Sequence, residues 1–90
     1  MPDTSRMTDQ PRLVEVHLFA AARAAAGTDV VRVADGTLAE VLADAVRQAP
    51  GLAGVLDRCS VLVDGTAAHG DDAAVASGSR VDVLPPFAGG

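Results

Sequence analysis

The residues of this chain that could do chemistry are few, and the most suggestive are the last seven, Leu84-Pro85-Pro86-Phe87-Ala88-Gly89-Gly90. Glycine places no side chain beside the terminal carboxylate, so the Gly89-Gly90 tip is as slender as a peptide can be. A tip of that kind can enter a narrow channel in another protein and present its carboxyl carbon to a nucleophile. Pro85 and Pro86 lack the N–H that a strand ladder needs and hold φ near the polyproline value, which ends the preceding strand and sends the tail outward. Gly90 is therefore the candidate for chemistry, and residues 85–90 read as a flexible tail.

The other reactive side chains stand without partners. His17 lies beside Glu15 with no second ligand at a recognisable spacing, so a surface histidine is expected. His69 precedes Asp71 and Asp72, yet a calcium loop needs oxygens at several fixed positions that this stretch lacks. Cys59 has Arg58 as a basic neighbour but no helix start to lower its pKa, which fits a half-buried strand cysteine. The chain holds no glycine-rich phosphate loop, no nucleophile elbow and no pair of carboxylates set in an evident pocket. Its body reads as a support without catalytic groups of its own, a substrate or carrier. Leu62 and Leu84, expected to face away from the helix, and Phe87 in the tail would together make a docking patch.

The elements that must position this end follow from periodicity. Residues 13–20 alternate, with Val14, Val16 and Leu18 on one face and Glu15 and His17 on the other, as in a strand with one buried side. Residues 20–26 suit a short helical turn broken by Gly27, and 28–34 a second strand with Val31 and Val33 inward; the short connection predicts an antiparallel hairpin. Asp35-Gly36 marks a turn. Thr37 and Glu40 have capping-box spacing, and Leu38, Val41, Leu42, Ala45, Val46 and Ala49 form one apolar stripe of a helix that Pro50-Gly51 stops. Aspartate at Leu42 is expected to unfold the domain. Residues 52–58 suggest one more helical turn, with Val55 and Leu56 closing the bottom of the core. A strand over 59–64 reaches the tight-turn pair Asp64-Gly65. Residues 67–76 are poorly patterned, suited to a short edge strand and a loop carrying Val75. The last strand, residues 80–84, turns Val81 and Val83 inward and Asp82 and Leu84 outward.

One helix covers one face of such a sheet, leaving the other open. The expected class is α+β, with a mixed sheet if the last strand lies beside the first. Residues 1–12 are polar, contain Pro2 and Pro11 and have no period, so they read as a disordered leader to a domain over 13–84.

With only Phe19 and Phe87 aromatic, the core must be built from Val, Leu and Ala. The formal net charge of -5 opposes attraction to nucleic acid and anionic membranes and suits a basic protein partner. No apolar stretch is long enough to span a bilayer and residues 1–12 hold no signal-like apolar run, so the cytoplasm is the expected location. All seven basic residues are arginine, so no lysine ε-amine is present. The single cysteine excludes an internal disulfide and a cysteine-based zinc cluster.

The order of elements, the helix over 37–49, the run Val16-His17-Leu18-Phe19-Ala20-Ala21-Ala22-Arg23 and the ending Val81-Asp82-Val83-Leu84-Pro85-Pro86-Phe87-Ala88-Gly89-Gly90 together resemble the ubiquitin-like sulfur-carrier family. The likeness is greatest to the small subunits of molybdopterin synthase and extends over residues 13–90. It implies a β-grasp fold with a free C-terminal tail. It also implies that an adenylating activating enzyme couples the Gly90 carboxylate to AMP from ATP, and that a persulfide sulfur donor converts it to a thiocarboxylate. The large subunit of molybdopterin synthase then receives the tail and builds a dithiolene with its sulfur. On that resemblance Gly90 carries the sulfur, Gly89 keeps the passage narrow, Phe87 with Pro85 and Pro86 sets the exit, and Ala88 is among the residues that bind the partner. The chain itself binds no cofactor and no metal. Related carriers for thiamine or cysteine biosynthesis share the fold and the glycine pair; the Pro-Pro-Phe tail favours the molybdopterin branch. A ubiquitin-like modifier that never receives sulfur is the alternative from another class.

Overall fold

The computed structural model describes residues 13–68, 70 and 72–86. The leader over 1–12 and residues 87–90 of the tail lie outside them. Strand β1 (Val14–Leu18) is the hub of the sheet. It pairs antiparallel with β2 (Val30–Val33), setting Val16 opposite Val31, and parallel with β7 (Arg80–Leu84), setting Val16 beside Val81 and Leu18 beside Val83. Strand β4 (Ser60–Val63) runs antiparallel on the other side of β7, and β5 (Thr66–Ala67) closes that edge, giving the order β2-β1-β7-β4-β5. The first and last strands do lie together, and their parallel pairing makes the sheet mixed. A parallel partner needs a long crossover, which the main helix and the strands after it provide.

The alternation read from the sequence holds because one face of the sheet is buried. Val14, Val16, Leu18, Val31, Val33, Val81 and Val83 are all buried, and none of the buried residues among those described is polar. Each such side chain contributes about 1.5–3 kcal/mol on burial, so a core of Val, Leu and Ala suffices without aromatic rings.

Helix α1 (Ala20–Ala26) follows β1 and ends at Gly27, whose φ of 79° gives the left-handed cap. Helix α2 (Leu38–Gln48) has the expected capping box: Glu40 N–H donates to Thr37 Oγ1 at 3.2 Å and Thr37 N–H donates to Glu40 Oε1 at 2.9 Å. Its stripe is narrower than the sequence suggests. Leu38, Val41, Ala45 and Ala49 are buried, whereas Leu42 and Val46 are half-buried at its sides.

The helical turn read over 52–58 is present as 3₁₀ winding, split into Pro50–Gly54 and Leu56–Arg58. Two readings need correction. Leu52, fully buried, closes the core there, while Val55 and Leu56 are only half-buried. Gly36 is not simply a turn residue, because Gly36–Thr37 forms a short strand, β3, paired with β6 (Ala74–Val75). That pairing buries Val75 and gives the poorly patterned stretch its anchor. The Asp64-Gly65 turn stands as read, with φ of 50° and 84° at its two residues.

Gly51 allows the first 3₁₀ turn to approach the end of α1: a Cβ there would collide with the Ala25 carbonyl oxygen. Gly51→Ala is expected to destabilise the domain by about 1–3 kcal/mol, because a backbone group and not a side chain must move. Gly54→Ala, whose Cβ would meet nothing within 4 Å, serves as the control. Thermal unfolding of the two variants checks this, and equal midpoints would refute it.

Candidate functional site

Because β1 and β7 are parallel, both leave the sheet at the same end, and there the tail begins. Leu84 pairs with Ser60, and Phe19 N–H donates to the Val83 carbonyl at 3.3 Å. Pro85 is half-buried and Pro86 exposed, both beyond the ladder as their missing N–H groups require. Phe87, Ala88, Gly89 and Gly90 lie outside the described residues.

The face opposite the helix is built by register. Val30, His17, Asp82, Leu62 and Ala67 stand side by side across the five strands. Leu84 is the diagonal neighbour of Leu62, two residues beyond Asp82, a spacing of about 7–8 Å that larger side chains bridge. The structure thus brings Leu62 and Leu84 onto one face as expected, both half-buried. Sequence reasoning missed Phe19. It is the exposed large hydrophobe among the described residues, at 36%, and continues the register beside Leu84 at the root of the tail. The signal was present: an apolar residue placed directly after Leu18, where the alternation calls for an outward position.

Charges on this face are matched in pairs. His17 Nε2 lies 3.1 Å from Glu15 Oε1, and Arg32 Nη2 lies 3.5 Å from Glu15 Oε2. The hydrogen bond from His17, helped by the charge of Arg32, holds the Glu15 carboxyl below its usual range. Arg80 Nε reaches Asp82 Oδ1 at 2.6 Å. Exposed pairs of this kind add little stability. Their effect is local: the β1–β2 part of the face is ionic, whereas Phe19, Leu84 and Leu62 make the corner beside the tail apolar. His17 lies on the open face as expected, but half-buried and paired with Glu15.

Cys59 lies just before β4 and not within it. Its thiol donates to the Val55 carbonyl at 3.2 Å, and burial together with the Asp57 charge raises its pKa. A thiol so placed is a weak nucleophile. His69 and Asp71 fall outside the described residues; among those described, no group of three or more metal-binding side chains occurs. No helix among them is long and apolar enough to cross a membrane.

The arrangement is a β-grasp, a mixed sheet on one main helix with the chain's end leaving from the sheet's middle strand. The chain belongs to the ThiS family, whose model matches residues 16–90. These are ubiquitin-like sulfur carriers, small carrier proteins rather than enzymes. Among solved structures, it is similar to SAMP1 from Haloferax volcanii, with 32% identity and a TM-score of 0.78 over 87% of this chain and 99% of that one. The fold also matches the BexX/CysO complex of Amycolatopsis orientalis, at 24% identity and a TM-score of 0.74 over 86% of this chain and 99% of that one. The complex of subunits 1 and 2 of molybdopterin-converting factor from Helicobacter pylori gives 20% identity and a TM-score of 0.66 over 87% of this chain and 99% of that one. Comparison with curated proteins returned no match.

Proposed function

We propose that the chain is a cytoplasmic sulfur carrier whose Gly90 carboxylate is activated and thiolated to supply sulfur for the molybdopterin dithiolene. Ionised at neutral pH, that carboxylate is a poor electrophile until it is joined to AMP. An activating enzyme forms the acyl adenylate from ATP and releases pyrophosphate. A persulfide on a sulfur donor attacks the acyl carbon and expels AMP, and a second thiol supplies two electrons to cleave the resulting S–S bond, leaving the thiocarboxylate. The large subunit of a molybdopterin synthase accepts the charged tail. Leu62, Leu84 and Phe19 seat the partner, Pro85, Pro86 and Phe87 set the exit angle, and Ala88 and Gly89 pass through the channel.

The observation that carries this reading is the place of β7. Hydrogen-bonded on both sides, by β1 and β4, it anchors the root of the tail at the centre of the sheet and hands it to two prolines that cannot extend the ladder. The Pro-Pro-Phe ending supports the molybdopterin branch.

Intact-mass measurement after incubation with the activating enzyme, ATP and a sulfur donor is expected to show a gain equal to the difference between sulfur and oxygen. If the mass stays fixed where a known carrier is converted, the sulfur-carrier reading fails. For the pathway, a deletion strain is expected to lose molybdoenzyme activity; one that keeps it but requires thiamine or cysteine assigns the sulfur elsewhere. The likeness to a small archaeal modifier protein favours a second reading, a protein modifier. Recovery of Gly90 in amide linkage to other proteins, without any thiocarboxylate, would establish it.

A further inference from the structure

The ladder between β1 and β7 stops at one carbonyl. Glu15 N–H donates to the Ser79 carbonyl at 3.2 Å, and Phe19 N–H to the Val83 carbonyl at 3.3 Å. In a parallel ladder a residue that donates to one position accepts from the position two further along, so the next donor to the Phe19 carbonyl would be the amide of residue 85. Residue 85 is proline and has no N–H. The Phe19 carbonyl instead accepts from Ala22 N–H at 3.0 Å and from Arg23 N–H at 3.3 Å, the first bonds of α1.

Helix α1 depends on those bonds. It has seven residues and no side-chain cap, and a helix so short does not stand alone in water. Entering it takes the chain from extended backbone at Phe19, φ -122° and ψ 152°, to a φ of 50° at Ala20. That left-handed region disfavours a residue with a Cβ, so the turn carries strain that the bonds to the Phe19 carbonyl must offset.

We propose that Pro85 is a positioning residue: by offering no amide to the Phe19 carbonyl, it keeps that carbonyl for α1 and fixes the point where the chain leaves the sheet. Pro86 has no such part. Asp64 N–H donates to the Arg80 carbonyl at 2.8 Å, so the backbone groups of Arg80, Asp82 and Leu84 point to β4, and those of Val81, Val83 and Pro85 point to β1. By the same alternation Pro86 faces the β4 side, where pairing has already ended at Ser60.

With an ordinary amide at position 85, the ladder and α1 would compete for one carbonyl. Pairing would hold that residue against β1 and take one residue's length, about 3.3–3.6 Å, from the reach of the chain's end. Phe19 and Leu84, already side by side, would keep their places. The loss of reach matters to the reaction if Gly90 is the reacting end, as proposed above; the competition for the carbonyl does not depend on that reading.

Amide hydrogen exchange on Pro85→Ala, with no activating enzyme present, tests the competition. The amide introduced at position 85 is expected to exchange about tenfold or more slower than in an unstructured peptide, and those of Ala22 and Arg23 faster than in wild type. Adding Ala20→Gly, which removes the cost of the left-handed turn, is expected to restore Ala22 and Arg23 and to release the new amide. Pro86→Ala is expected to leave α1 unchanged. An unprotected amide at position 85, unchanged exchange at Ala22 and Arg23, or an equal effect of Pro86→Ala would each overturn the proposal. In activation assays Pro85→Ala is expected to lower the maximal rate about tenfold or more at an unchanged half-maximal concentration of carrier, with recovery on adding Ala20→Gly. A wild-type maximal rate in a Pro85→Ala chain whose new amide is protected would also overturn it. Failure of the wild-type chain to be activated at all would count against the sulfur-carrier reading alone, and exchange would still decide the part played by Pro85.

Discussion

Val41→Asp is expected to abolish cooperative folding, whereas Leu42→Asp, one position along the same helix, leaves a folded domain of reduced stability. Sequence periodicity puts both residues in one stripe and marks Leu42 as the vulnerable one. The structure separates them. Val41 is fully buried against the sheet, while Leu42 is half-buried at the side of the helix, where a carboxylate can turn to water. None of the buried residues among those described is polar, so an aspartate at Val41 meets no partner for its charge. An unpaired buried carboxyl costs several kcal/mol whether it stays ionised or takes up a proton, and the lost valine packing adds to that. A small domain holds about 5–15 kcal/mol in all, and none of the buried residues among those described is aromatic. Urea unfolding followed by circular dichroism checks both variants. A cooperative transition near the wild-type midpoint for Val41→Asp, or none for Leu42→Asp, would contradict the burial argument.

The same contrast shows what the sequence makes legible. Strands β1 and β7 were readable because burial on one face imposes a period of two, and the start of α2 because Thr37 and Glu40 satisfy each other's backbone N–H groups locally. Leu52 and Val75 were not readable as core plugs, since a 3₁₀ turn and a two-residue strand are too short to show a period. The parallel pairing of β1 with β7 is a tertiary choice between distant segments. Local pattern does not encode it, yet it decides where the tail leaves and brings Phe19 beside Leu84. For the site, the outward parity of Leu62 and Leu84 could be read from alternation, but their diagonal placement depended on the β4–β7 register.

Gly89→Val, and equally one residue added after Gly90, is expected to cut activation by a hundredfold or more while leaving the unfolding transition in place. Misplacing a reacting atom by about 1 Å can cost a factor of 10² in rate, and a β-branched side chain next to the reacting carboxyl both widens the tip and restricts its backbone. Stability is expected to be spared because, among the described residues, the last buried one is Val83, with Leu84 and Pro85 only half-buried. Pyrophosphate release by the activating enzyme, read with urea midpoints, separates the two effects. Leu84→Ala and Phe19→Ala should behave differently. They trim the apolar corner proposed to seat the partner but leave the reacting end intact, so the concentration of carrier needed for half-maximal activation is expected to rise while the maximal rate holds. Were Gly89→Val activated at the wild-type rate, the narrow passage would have no role. Were Leu84→Ala to lower the maximal rate instead, the corner would be acting on the reacting end itself, and Pro85 and Pro86 would be joining docking to chemistry where the proposal has them keep the two apart.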